Sequence, residues 1–426
     1  MQTASALPRV SSQAAIVPRL ALMMFLQLFV WGSWYVTMGI VMGRYGMSAA
    51  IGDAYSLGPI ASILSPFVLG MVVDRFFPSQ KVLALLHIAG AVLLYCIPSA
   101  FAQGEGGRGL LLGLLFAYML CYMPTIALTN NVAFHCLGAR SEKYFPVVRV
   151  FGTLGWITAG LLVGFAGLSE TTSIFTLASA ASLALGLFSL SLPDTPAPAK
   201  GKPLALRDLV CADAFAALFR QRHFVVFAIC ATLISVPLAA YFAFAGPFLA
   251  ANHIANVSGV MSVGQMSEFF FMLLIPLFFR RLGVKTMLLI GMCAWFLRYA
   301  MFAAGITEST RWLIYLGVAL HGVCYDFFFV VGYMYTDKIA KPEIKGQAQG
   351  LVTLFTYGIG MLIGSQATGA LFNRVVSAQG DAALPQWQAL WWYPALAALV
   401  IAVVFFLSFH FREASTPAST NDSKNG

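Results

Sequence analysis

Apolar stretches of about 20 residues, each long enough to cross a hydrocarbon core of about 30 Å as a helix, recur along almost the whole chain, and nothing else constrains its fold as much. Broken at charges and Gly/Pro clusters, the sequence gives spans near 20–43, 51–73, 82–103, 110–134, 144–168, 172–192, 223–250, 257–279, 286–305, 312–335, 346–372 and 386–411. A bilayer offers the backbone no water, so spanning segments are helices or a closed barrel, and these runs lack the alternation of barrel strands. The expected fold is an all-α polytopic membrane protein with twelve transmembrane helices in two six-helix bundles. Only 10% of the 426 residues are charged, against about 25% in soluble domains, which excludes a water-soluble enzyme.

The expected organisation is an N-terminal tail over 1–19, a first bundle over 20–192, a linker over 193–222, a second bundle over 223–411 and a C-terminal tail over 412–426. The linker carries PDTPAPAKGKP and a weakly amphipathic piece, Leu204–Phe219. The polar start, Met1–Arg19, precedes a run too long and aromatic for a cleaved signal peptide, so it is expected to stay as a cytoplasmic tail. With both termini cytoplasmic, 19 Lys and Arg fall inside and only Arg44, Arg108, Arg311 and Arg374 fall outside, as the positive-inside rule requires. The net charge of +9 therefore reports topology, and no basic face is left for nucleic acid. The seven cysteines show no CxxC or metal spacing and read as small buried hydrophobes.

A six-plus-six helical chain with a central cytoplasmic loop suggests two bundles rocking about a central site, as in many secondary carriers. No GxxxxGK[ST] is present to drive an ATP pump, and neither a repeated filter sequence nor a charge ring marks a channel. The six histidines are too dispersed for an enzyme site. A monomer that uses the proton gradient and no cofactor is expected. A carrier of another small polar solute and a non-transporting receptor are the alternatives.

Glu268 and Asp326 are the acids in mid-span. A carboxylate at the bilayer centre costs roughly 2.5–3.5 kcal/mol, a cost tolerated for a pathway, a relay or a partner. Burial favours the protonated acid and a nearby cation the ionised one, so an acid whose partner moves between conformations can carry a proton. The competing reading pairs each acid with Arg149 or Arg298, the bases that also fall inside spans. In HGVCYDFFF, His321, Tyr325 and Phe328 share a helical face with Asp326 on its flank. His321 is either a proton relay or a neutral hydrogen-bonding residue.

In SVGQMSEFFF, Gln265 lies three residues before Glu268, so amide and carboxylate project from adjacent turns, toward a polyhydroxylated ligand or toward other helices. In YFPVVRVFGTLGW, Arg149, Thr153 and Trp156 recur at i, i+4 and i+7, a stripe suited to a flat heterocycle or a sugar ring. Arg149 lies about six residues, or ~9 Å, from the cytoplasmic end and can instead snorkel to the headgroups. Snorkelling is also the reading for Arg298, which has no polar stripe beside it. Asn130 and Asn131 are expected to face the interior. Gly70, Asp74 and Arg75 close the second span as a candidate conformational latch. Gly346, Gly350, Gly360, Gly364 and Gly369 suit close helix packing.

Gly70-x-x-x-Asp74-Arg75 resembles the loop signature of the major facilitator superfamily. WGSW at Trp31–Trp34, YMPT at Tyr122–Thr125, RVFGTLGW at Arg149–Trp156, GQMSE at Gly264–Glu268, YDFF at Tyr325–Phe328 and AQG at Ala348–Gly350 resemble the bacterial nucleoside:proton symporter family. The resemblance runs through nearly the whole chain. It implies proton-coupled uptake of nucleosides across the cytoplasmic (inner) membrane through a cavity between the bundles. Arg149, Thr153 and Trp156 would line its N-terminal side, and Gln265, Glu268, Tyr325 and Asp326 its C-terminal side. Where the family's carriers place ligand-facing amides in the seventh span, this chain has Ala239 and Phe242, and His321 stands where an aromatic hydroxyl is expected.

Overall fold

The structure is a computed structural model that describes residues 16–68, 76–197 and 210–411. Gly70, Asp74 and Arg75, the latch expected from sequence, lie outside the described residues, as do most of both tails and the centre of the linker. Among the described residues every regular element is a helix. The spans are Ile16–Gly32 with Met38–Arg44, then Ile51–Val68, Ser79–Phe101, Arg108–Leu137, Ser141–Phe165, Ser173–Ser189 and Arg222–Ala251. Val257–Ala304 supplies the eighth and ninth, which part at Gly283 (φ 69°, ψ 174°), a backbone conformation that only glycine adopts freely. Trp312–Ile339, Pro342–Val375 and Gly380–Ser408 complete the set. The linker contributes a short helix, Ala212–Leu218, whose neighbour Phe219 packs on Phe355 at 5.6 Å.

Three spans depart from regular helix at mid-depth. The first breaks into turns at residues 33–37, where Ser33 Oγ donates back to Phe29 O at 2.7 Å and competes with the backbone ladder. The Tyr35 carbonyl there accepts from Tyr55 Oη. The tenth and eleventh carry π-helical segments, Asp326–Val330 and Leu354–Gly360, a feature that concentrates at functional sites. Irregular backbone at membrane depth is tolerated where it is enclosed in protein or lines a cavity.

The two bundles touch at the end remote from Ile16. A Cβ added to Gly52 would meet Gly369 Cα and Ser365 O at 2.7 Å, and one added to Gly164 would meet Asn256 Oδ1 at 1.8 Å, so the second span rests on the eleventh and the fifth on the eighth. Gln366 Nε2 donates across the junction to Asp53 Oδ1 at 3.2 Å and Ser56 Oγ at 3.0 Å, and Asn373 Nδ2 donates to Ala49 O at 3.0 Å. Gly360 and Gly364 seat the eleventh span on the seventh, at Thr232 O and Ala239. At the opposite end the fourth span packs within its own bundle, and Arg149 is exposed.

Gly52→Val is expected to wedge this closed end apart. Uptake should fall at least about tenfold in protein that still purifies as a monodisperse species, because backbone abutting backbone has no side chain to move aside. Uptake at the unmodified rate would show that the junction yields.

Candidate functional site

An aromatic band crosses the gap between the bundles at the depth of the broken first span. Trp31 contacts Tyr35 (ring centroids 5.3 Å), Tyr122 (5.5 Å) and Trp156 (5.5 Å) within the first bundle, and Tyr357 (6.1 Å) of the second. Tyr35 reaches Phe242 at 5.5 Å, and Phe242 lies edge-on to His321 at 6.2 Å. The indole nitrogen of Trp31 and the hydroxyls of Tyr35 and Tyr357 are buried without hydrogen-bond partners. Rings that present both a π face and an unused donor suit a flat heterocycle with polar edges.

The sequence-selected residues gather around this band. Trp156 is half-buried and backs onto Gly32, where an added Cβ would meet its ring at 3.2 Å. Thr153 is half-buried in the same span, and Arg149 is exposed to the gap. The Arg149 guanidinium lies within electrostatic reach of Glu268, Tyr122 and Tyr325. From the second bundle come Gln265, which is buried, and Glu268, whose Oε2 lies 3.7 Å from His321 Nε2. Tyr325 packs against His321 at 5.6 Å. Asp326 is fully buried, and neither carboxylate oxygen has a hydrogen-bond partner.

Two sequence readings are corrected here. The acids do not pair with the in-span arginines: among the described residues no arginine lies within ion-pair distance of Glu268 or Asp326, and the neighbour of Glu268 is the imidazole of His321 at 3.7 Å. Arg298 does not snorkel. It is 0% exposed, donates to Gly317 O at 2.9 Å, and holds its guanidinium carbon 4.0 Å over the Tyr241 ring. The aliphatic neighbours that hid its role in the sequence bury it, and its partners are backbone carbonyls, which no side-chain pattern shows. Ala239 is buried beneath Gly364, so of the two seventh-span departures only Phe242 meets the band.

Sequence reasoning also missed a polar network behind the band. Gln27 Nε2 donates to Thr125 Oγ1 at 2.7 Å, which leaves Gln27 Oε1 to accept from His87 Nε2 at 2.8 Å. His87 Nδ1 lies 3.0 Å from Ser182 Oγ, and Tyr122 Oη donates to Gln27 O at 2.6 Å. The one available signal was four polar residues lying in four different apolar spans. This network ties the first, third, fourth and sixth spans together and fixes Tyr122 beneath Trp31. His87→Phe leaves buried polar partners unsatisfied and should lower stability by about 1–3 kcal/mol, read as a reduced Tm in detergent. An unchanged Tm would show that the network contributes nothing net.

Comparison with known proteins identifies the family. The family described as "Nucleoside H+ symporter" matches residues 14–414. YegT of Escherichia coli (strain K12) is 38% identical over 96% of this chain and 97% of its own length, and the xanthosine permease of the same organism is 32% identical over 93% and 96%. The crystal structure of the nucleoside transporter NupG superposes with a TM-score of 0.82 at 29% identity, covering 93% of this chain and 100% of that one. The chain belongs to the nucleoside H+ symporter family, with the twelve-helix fold of the major facilitator superfamily.

Proposed function

We propose that this multi-pass carrier imports nucleosides across the bacterial inner membrane in symport with protons, by alternating access between its two bundles. The observation that carries the proposal is a pair of carboxylates, Asp326 fully buried and Glu268 half-buried, with no arginine in ion-pair distance among the described residues, beside an aromatic band that spans the gap. The base stacks on Trp156 and Trp31, and Arg149, Thr153, Gln265, Glu268 and Tyr325 offer polar contacts to its edges and to the ribose. His321 faces the same space, with Nδ1 unpartnered. Asp326 takes the proton.

Protonation removes a buried charge whose desolvation opposes reorientation, so the loaded and protonated carrier changes conformation more readily than the ionised one. Both termini are cytoplasmic by the distribution of Lys and Arg. In that orientation the contacts at Gly52, Gly164 and Gln366 close the outer end. The carrier works as a monomer and needs no cofactor beyond the proton gradient.

Cells expressing the chain should accumulate labelled uridine or adenosine above the external concentration, and a protonophore should abolish the accumulation. Uptake that only equilibrates and ignores the protonophore would remove proton coupling. Competition by sugars but not nucleosides would remove the substrate class.

A further inference from the structure

The tenth span is not one continuous helix. It runs Trp312–Ala319, turns at Leu320 and resumes as His321–Tyr325. Leu320 N–H still bonds to Leu316 O at 2.9 Å, and Cys324 N–H bonds to Leu320 O at 3.0 Å, but between them the i→i+4 ladder lapses. The lapse releases the carbonyls of Gly317 and Ala319 from their helical bonds at a depth where water cannot replace them, while Val318 O keeps a backbone N–H at the helix end.

Two neighbouring spans supply partners. Ser267 Oγ donates to Ala319 O and accepts from Gly322 N–H at 3.3 Å. Arg298 donates through Nε to Gly317 O at 2.9 Å and through Nη2 to Val318 O at 3.4 Å. The same guanidinium lies over Tyr241, and Tyr241 stacks on His321 with centroids 5.1 Å apart and planes at 20°. One side chain therefore touches both the break and the ring that backs the imidazole. A buried cation with no acid in ion-pair distance among the described residues is costly, and an apolar side chain would pack there at lower cost.

We propose that Arg298 is a positioning residue for transport: it holds the tenth span open across Gly317–Gly322 and so aims His321, and Asp326 beyond it, at the inter-bundle site. The proposal rests on the reading of that site given above. It requires the guanidinium fork, because an ammonium cannot meet two carbonyls and a ring face in one fixed plane.

The test uses the full-length protein with Arg298→Met and Arg298→Lys, and reads amide hydrogen exchange across residues 317–323 without substrate alongside nucleoside uptake kinetics. Without the fork the ladder reseals, so both variants should exchange more slowly in this segment than the native chain. Both should also raise the apparent KM about tenfold or more, with a smaller change in maximal rate, since reorienting His321 displaces binding groups by an ångström or so. Faster exchange, as from simple loss of packing, or full recovery by lysine would overturn the proposal. Should neither variant accumulate, Ser267→Ala gives the same readout: slower exchange supports the clamp, and unchanged or faster exchange contradicts it. Exchange measured without substrate stands even if the native chain fails to carry nucleosides, so the two claims fail separately.

Discussion

Asp326→Asn is expected to abolish concentrative uptake and to leave nucleoside exchange within about twofold of the native rate. Asparagine has nearly the shape of protonated aspartic acid and no charge, so it fixes the tenth span in the state that loading normally creates. Both oxygens of Asp326 are buried and unpartnered, so the substitution breaks no hydrogen bond and leaves no stranded counter-ion. What it removes is the dependence of reorientation on a proton. Uptake by the native chain should rise as external pH falls, and uptake by the variant should be flat. Labelled uridine uptake with and without protonophore, paired with counterflow in proteoliposomes, checks both halves. Accumulation by the variant that still collapses with protonophore would assign the proton to another group.

The second large effect is expected at Trp156→Ala. Stacking of a base on an aromatic side chain is worth about 1–3 kcal/mol, which corresponds to a loss of roughly 5- to 150-fold in apparent affinity. Trp156 is suited to this part because its ring is half-buried, braced by Trp31 at 5.5 Å and Tyr35 at 6.2 Å, and close to the gap between the bundles. Trp156→Phe should recover much of the loss, since it keeps a π face. The checks are apparent KM from uptake and ligand-induced thermal shift of the purified protein, because a bound ligand stabilises by mass action. A native KM in Trp156→Ala would place the base elsewhere along the band.

The spans were legible because bilayer thickness writes itself into the length of apolar runs, and helical spacing suggests a shared face for Arg149, Thr153 and Trp156. The acids at 268 and 326 stood out because a carboxylate in an apolar run needs a reason. The breaks in the first and tenth spans were not legible. They depend on partners distant in the chain: Ser267 and Arg298 for the tenth, Tyr55 for the first. Arg298 was misread for the same cause, since nothing in its own span marks a residue whose partners are carbonyls of the next. The band of Trp31, Tyr35, Phe242 and Tyr357 is assembled from three spans and leaves no local periodicity. His87 and Gln27 are isolated polar residues until the fold brings them to 2.8 Å.

The most direct measurement is proton movement itself. Purified protein in vesicles that enclose a pH-sensitive dye should acidify the interior when nucleoside is added outside, and vesicles bearing Asp326→Asn should not. Nucleoside entry with no change in internal pH would contradict the claim that the buried acids carry protons with the substrate.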